Sequence, residues 1–310
     1  MYEYLQKLES FDENNLPSLR EVVLGALELF IKNGMSNVTI KEFKKPVIVG
    51  SGNAIASAKI LYANKDCVFA DENNYQEAIS REGIDGVVIF SASGAKHAPI
   101  IAKAAVDKGL ITQLVTCTPN SPAEAIVGKE NTIISLKNRE PYTYNTSTYM
   151  GWIISITKED PKIIYDFLTK DIANFLQNID FSKYNGFLLA TPNEFPGVKQ
   201  LFEVKFIELF GRKVARDVKT FEELKHAVTV VPSDTELAIK FGSNVIDFQN
   251  DAIEIPMPKN LGPGFLMAIG YFVIGHIQEQ HPQYFKENIK SYIERLNQTD
   301  FGKGMKVVVE

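Results

Sequence analysis

Apolar residues at Leu19, Val22, Val23, Ala26, Leu27 and Phe30 recur at the three-and-four spacing of one helical face, with Pro17 ahead of them and Gly34 just past them. That spacing and those end signals predict an amphipathic helix over 16–33. From Pro46 the period changes: PVIVGSGN is a short unbroken apolar run followed by small residues, and AIASAKILYA returns to helical spacing. The same order recurs at GVVIFSASGAK and HAPIIAKAAVDKG, and the runs ITQLVTCT and NTIISL continue it. Strands buried on both faces lose in-and-out alternation, so short apolar runs alternating with helices predict a parallel sheet covered on two sides.

Residues 160–178 (DPKIIYDFLTKDIANFLQN) predict a helix without strand character, and FSKYNG after it carries turn residues. A second series opens with GFLLATPNEFPG and the helix VKQLFEVKFIELFG, ending at Gly211; KHAVTVVPSD and SNVIDF are expected as later strands. The expected layout is N-terminal helices over 1–45, a first α/β domain over 46–158, a linker helix over 159–184, a second α/β domain over 185–275, and a C-terminal helix and tail over 276–310. The chain's 310 residues, about twice the ~150 of one domain, agree with this division.

A formal net charge of -5 gives no global basic field, so neither nucleic acid nor an acidic membrane surface is an expected partner. The most apolar stretch, Phe265 to Ile277, falls short of the roughly 20 residues a bilayer needs, and MYEYLQKLESFDENN lacks the layout of a secretory signal. A cytoplasmic protein is expected. Cys67 and Cys117 lie far apart in β-prone runs, which suits buried reduced thiols rather than a disulfide or a nucleophile. His276 and His281 are five apart and do not share a helical face, so no metal site is expected, nor any cofactor. Phe202, Phe206 and Phe210 form a core stripe, and Lys41, Lys44 and Lys45 suit a solvated linker.

Two strand-to-helix turns are rich in small hydroxylic residues: Gly50, Ser51, Gly52, Asn53, and then Ser91, Ala92, Ser93, Gly94, Ala95, Lys96. In a parallel sheet such turns lie at the carboxyl edge, where the next helix offers unpaired N–H groups to an anion. GSGNAI does not fit GxGxxG and no GK[ST] follows, so a phosphate-type site is favoured over nucleotide binding. A second reading stands beside it, since serine and glycine also make plain tight turns and caps.

The strand, SASGAK and alanine-rich helix resemble the phosphosugar loop of the sugar isomerase (SIS) domain family, commonly Ser-x-Ser-Gly-x-Thr. EPYTYNTSTY (Glu140 to Tyr149) is similar to that family's Glu-led segment with closely spaced threonines or serines. KFIE (Lys205 to Glu208), EELKH (Glu222 to His226) and the tail DFGKGMKVVVE resemble, in the same order, the isomerase domains of glucosamine-6-phosphate synthases. Departures are Lys96 for the loop threonine, Ala92 where glutamine is common, and Gly52 for a serine. The glutaminase domain of those synthases, with its leading cysteine, has no counterpart in this sequence.

The resemblance implies two SIS-type αβα sandwich domains with flavodoxin-like, parallel five-stranded sheets, acting on a sugar phosphate as a homodimer or higher homo-oligomer. It implies substrate contacts from Ser51, Gly52, Asn53, Ser91, Ser93, Gly94, Lys96, Thr143, Asn145 and Thr146. Glu208 would move a proton between C1 and C2 of a hexose 6-phosphate or amino-sugar phosphate through a cis-enediol. His226 would open the ring, reaching the site from a neighbouring subunit, and Lys303, or Lys306, would form a Schiff base or cover the pocket. The activity so implied is an aldose-ketose isomerase or an isomerising deaminase. The alternative is a non-catalytic phosphosugar-binding or regulatory protein that keeps the loop. On residue pattern alone, Glu208 three residues after Lys205 also suits a solvated helix pair, and His226, Lys303 and His97 suit solvated surface positions.

Overall fold

The computed structural model of the chain describes residues 2–36, 38–227, 230–243, 251–300 and 302–309. It divides into two units: Gly34–Lys137 with Thr148–Lys158, and Met1–Asn33 with Asn138–Ser147 and Glu159–Glu310.

The first of these holds strands β1 (Pro46–Gly50), β2 (Val68–Ala70), β3 (Gly86–Phe90), β4 (Ile111–Thr116) and β5 (Thr132–Ile134). All pair in parallel, in the order β2-β1-β3-β4-β5. Every residue of β1 and β3 is buried, which is why their sequences are unbroken apolar runs. Val47, Val49, Val87 and Ile89 pack with Ala98, Ile101, Ala102 and Ala105 of the helix His97–Asp107. The alanines let the helix approach closely, and each buried Val or Ile contributes about 1.5–3 kcal/mol. The register aligns Gly50 with Phe90, so the turns after β1 and β3 emerge side by side. From there the chain winds to β2 on one side and to β4 on the other. That reversal is a topological switch point, where a crevice opens at the carboxyl ends of the strands.

The second unit holds β6 (Glu140–Pro141), β7 (Gly186–Thr191), β8 (Ala215–Thr220), β9 (Glu236–Phe241), β10 (Asp251–Ile255) and β11 (Val308–Val309). Its main sheet is parallel in the order β10-β9-β7-β8, which repeats the winding of the first sheet without the outermost strand. The tail strand β11 pairs antiparallel with β6. Phe202, Phe206 and Phe210 are all buried on the helix Val198–Phe210, as their spacing predicts. A Cβ added at Gly270, on the apolar helix Pro263–Gln280, would come within 1.9 Å of the Phe202 ring, so that glycine is the seat of the ring.

Several expectations change. The second sheet has four strands among the described residues, not five. The described residues of KHAVTVVPSD form no strand: residues 221–226 are helical, opened by a capping box between Thr220 and Glu223, and Val230 and Val231 are exposed. Val228 and Thr229 lie outside the described residues, as do Asn244 to Phe248 of the expected strand SNVIDF. The strands present are ARDVKT and ELAIKF, whose charges hid them. β8 is an edge strand with solvated positions, and Lys240 of β9 pairs with Glu254 of β10 at 3.3 Å. The 160–178 helix contains a wider turn at Leu168–Ile172, and the apolar helix runs past residue 275 to Gln280. Cys117 is buried, Cys67 only half-buried, and the two form no disulfide. No helix of the described residues is long and apolar enough to cross a membrane.

Candidate functional site

At the switch point of the first sheet, Gly50 has no room for a side chain: a Cβ there would lie 3.0 Å from the Phe90 carbonyl and 3.1 Å from the Ile55 nitrogen. Gly52 follows at φ 54° and ψ -126°, which turns the chain into the helix Asn53–Leu61. Asn53 is 7% exposed, and its Oδ1 is buried without a hydrogen-bond partner. The Ser51 hydroxyl donates to the Glu72 carboxylate. A carboxylate at this turn disfavours a phosphate and suits a hydroxyl donor.

In the turn after β3 the Ser91 Oγ accepts the Gly94 N–H at 3.2 Å, and the Ser93 Oγ accepts the Ala95 N–H at 3.3 Å. Each hydroxyl keeps its own proton to donate. Gly94, at φ 60°, lies so close to Ser121 that a Cβ would meet its Oγ at 2.3 Å. Lys96 is the N-cap of the helix His97–Asp107 rather than part of its first turn. It holds φ 54° and ψ -108°, nearly the backbone of Gly52, and its side chain is exposed. Partial burial lowers its ammonium from the ordinary lysine range. His97 is exposed, as its surface-helix position predicts.

In the other unit, Lys205 is fully buried on the helix Val198–Phe210. Its ammonium donates to the Thr143 carbonyl at 3.2 Å, the Tyr144 carbonyl at 2.9 Å and Glu208 Oε2 at 2.6 Å. It also lies 5.4 Å from the centroids of the Tyr144 and Tyr271 rings. Thr143 and Asn145 hold φ 73° and 44° on either side of Tyr144 in the turn that supplies both carbonyls. Glu140, 1% exposed, accepts the N–H groups of Thr146 (2.6 Å) and Ser147 (2.7 Å), and so caps the helix Thr146–Thr157. The Oγ1 atoms of Thr143 and Thr146 are buried with no hydrogen-bond partner. Each such orphan costs about 1–3 kcal/mol, which a ligand hydroxyl or phosphate oxygen would recover.

Burial pushes the Glu208 carboxyl above the ordinary range, and Lys205 opposes part of that rise. Glu140 is raised for the same reason, opposed by Ser147, Thr146 and Lys205. Glu208 is therefore not a solvated helix charge; its side chain is 19% exposed and fixed on a buried cation. His226 is not drawn into this cluster. It is 80% exposed at the end of the helix Phe221–His226, and the charge nearest its ring is Glu222, at 3.7 Å. Lys303 and Lys306 are both exposed. The turn bearing Lys303 is held by Asn297, which accepts the Gly304 N–H at 2.7 Å and donates to the Met305 carbonyl at 2.9 Å. Among the described residues no group of three or more His, Cys, Asp or Glu is placed to hold a metal ion.

Three participants were missed in the sequence: the Lys205 clamp, the Glu140 cap and Glu72 beside Ser51. Lys205 was detectable, because its neighbours Leu201, Phe202, Phe206 and Leu209 leave no polar face at its position. Glu72 was not, since it meets Ser51 from 21 residues away.

No protein-family model matches the chain, and no curated protein does. Solved structures do. The glucosamine-6-phosphate deaminase of Thermotoga maritima superposes with a TM-score of 0.62 at 14% identity, covering 84% of this chain and 92% of that one. The fold is one that sugar-phosphate proteins share. A Clostridium difficile protein proposed to be a phosphosugar isomerase gives 0.60 at 13% identity over 89% and 98% of the two chains. The C-terminal domain of glucosamine-fructose-6-phosphate aminotransferase from Francisella tularensis gives 0.55 at 12% identity over 92% and 96%. These likenesses show that the chain has the αβα-sandwich fold of those proteins. At such identities they speak for the fold.

Proposed function

We propose that the chain is a sugar-phosphate isomerase or isomerising deaminase built from two SIS-type units and acting on a hexose 6-phosphate or amino-sugar phosphate. The observation that carries this reading is Glu208, a carboxylate raised by burial yet kept beside a buried ammonium, next to a turn with two orphaned hydroxyls. A base of that kind is tuned for proton abstraction from carbon next to a carbonyl.

Glu208 takes the proton from C2 of the open-chain aldose, leaving a cis-enediol, and returns it to C1; the hydroxyl and carbonyl oxygens exchange one proton in the same step. Lys205 positions that carboxylate. In the first unit Ser91, Ser93, Gly94 and Lys96 suit a phosphate and Ser51, Gly52 and Asn53 suit sugar hydroxyls; in the second, Thr143, Asn145 and Thr146 suit the contacts of a sugar with Glu208. Holding the substrate by its phosphate removes orientational entropy from the barrier. His226, exposed here, suits ring opening in the site of a second copy, which makes the active form a homo-oligomer. Lys303 acts from the tail. The competing reading, a phosphosugar binder without turnover, is favoured by the direct bond that holds Glu208 on Lys205.

Incubation in D2O with fructose 6-phosphate, glucose 6-phosphate and their 2-amino analogues separates the two. Stereospecific exchange at C1 or C2 that vanishes in Glu208→Gln is the expected result. Exchange that persists in that variant removes Glu208 as the base. Thermal stabilisation by these compounds with no exchange at all establishes the binder.

A further inference from the structure

At the opposite, amino edge of the first sheet lies a cavity of about 400 Å3, walled by the segment before β1 and by the end of the helix Asn53–Leu61 with the turn after it. Five-residue strands set it roughly 16 Å from the serine turns. The proposed function makes no use of it. The basic run expected to be a solvated linker forms one wall, and its backbone is pinned. Lys41 N–H donates to the Gln113 side chain at 2.9 Å, whose own amide donates to the Thr39 carbonyl at 3.3 Å. The N–H groups of Lys44 and Lys45 donate to the two oxygens of Asp85 at 2.7 and 3.0 Å. The Phe43 ring sits on Gly86, where a Cβ would come within 2.1 Å of it.

Lys41, Lys44 and Lys65 line this cavity. Lys41 donates to the Asn131 side chain at 2.5 Å, and Lys65 lies over the Tyr62 ring at 4.9 Å. No ion pair engages Lys44 or Lys65 among the described residues. Tyr62 is 4% exposed and lines the cavity, and no hydrogen bond of its hydroxyl is present among the described residues. A phenol hydroxyl without a protein partner, on a residue that lines the cavity together with three lysines, is available to a ligand oxygen. Phe43 supplies an aromatic wall, and Glu42 and Asp66 supply acceptors.

We infer that this amino-edge cavity is a second ligand site, which takes a nucleoside monophosphate. The lysines and the Tyr62 hydroxyl meet the phosphate, Phe43 meets the flat base, and Glu42 and Asp66 accept from ribose hydroxyls or a base amine. The volume falls within the range of small-ligand pockets. A bare anion would leave Phe43 and the two carboxylates without a role, and the carboxylates would repel it.

The test is titration calorimetry on the full chain with adenosine and uridine monophosphates, adenosine, ribose 5-phosphate and inorganic phosphate. At least one monophosphate should bind ten-fold or more tighter than adenosine, ribose 5-phosphate or phosphate, and the affinity should fall with salt. Lys44→Ala with Lys65→Ala should weaken it ten-fold or more at an unchanged melting temperature. Tyr62→Phe, which removes one oxygen and keeps the ring, should weaken it several-fold. Ser93→Ala and Glu208→Gln should leave it unchanged, so the site stands or falls independently of the sugar-phosphate reading. Absence of binding, binding indifferent to the lysine and tyrosine variants, loss in Ser93→Ala, or equal affinity for inorganic phosphate each overturns the proposal.

Discussion

Lys205→Met tests the centre of the argument. The substitution keeps a long apolar side chain in a fully buried position and deletes three donated hydrogen bonds, at 2.6, 2.9 and 3.2 Å. Two carbonyls of a turn that carries two left-handed residues lose their donor, and Glu208 is left beside apolar groups with no cation. Breaking one side of a buried ion pair costs about 3–5 kcal/mol, and the 19% exposure of Glu208 points to the lower end. Urea unfolding followed by far-ultraviolet circular dichroism should show that loss at pH 7.5.

The sign with pH follows from Glu208. Its folded carboxyl is raised by burial, so it destabilises the folded chain increasingly as pH climbs from the unfolded value through the folded one. Removing Lys205 raises it further. The deficit of Lys205→Met relative to the parent should therefore be smaller at pH 5 than at pH 8, and adding Glu208→Gln should recover about 1 kcal/mol or more at pH 8. A single-variant cost below about 1 kcal/mol, or a double variant no more stable than Lys205→Met, would refute the claim that the pair is a buried charge clamp.

Lys96→Gly should raise stability by about 1 kcal/mol in a thermal melt, because glycine adopts φ 54° and ψ -108° without strain, while phosphosugar affinity falls and loses salt sensitivity. Gly94→Ala should cost about 2 kcal/mol, since φ 60° and the Ser121 Oγ at 2.3 Å both oppose a Cβ. His276 has a buried Nε2 without a partner, packs edge-on to Phe272 at 4.9 Å and faces Arg20 and Glu279, and burial lowers it from 6.5 to about 4. The unfolded chain then binds the proton more tightly. Stability should fall by about 1–2 kcal/mol between pH 7 and pH 5 on this account, a slope that His276→Gln should flatten in pH-resolved urea melts.

The first unit was legible because its strands are buried on both faces: PVIVG and GVVIF are unbroken apolar runs, and the small residues after them mark the turns. The second unit was only half legible. GFLLAT follows the same rule, but ARDVKT sits at a sheet edge and ELAIKF carries a cross-strand ion pair, so both read as polar, while Val230 and Val231 promised a strand and are exposed. For the site, the serine turns could be found because their chemistry is local. Lys205 and Glu208 could be found as a pair, and the apolar neighbours of Lys205 point to its burial, but its two carbonyl partners lie in the Thr143–Asn145 turn about 60 residues upstream. His226 was legible only as letters in a motif; it stands at an exposed helix end, with Glu222 of the same helix 3.7 Å from its ring.

Backbone strain bears on where function lies. Six non-glycine residues among those described hold positive φ: Tyr2, Lys96, Asn120, Thr143, Asn145 and Lys158. Three of them are residues that the sequence assigned to sugar-phosphate contacts, on grounds that had nothing to do with backbone angles. Each left-handed side-chain-bearing residue costs about 1–3 kcal/mol, and glycine is the inexpensive solution that the chain itself uses at Gly52 and Gly94. A lysine kept where the sister turn has glycine, and a threonine and an asparagine kept where the Lys205 ammonium needs two carbonyls in one direction, are stabilising choices in neither unit. They make sense if the side chains also serve the sugar phosphate proposed above: an ammonium at a serine turn, and a hydroxyl left unbonded in the turn that holds Lys205.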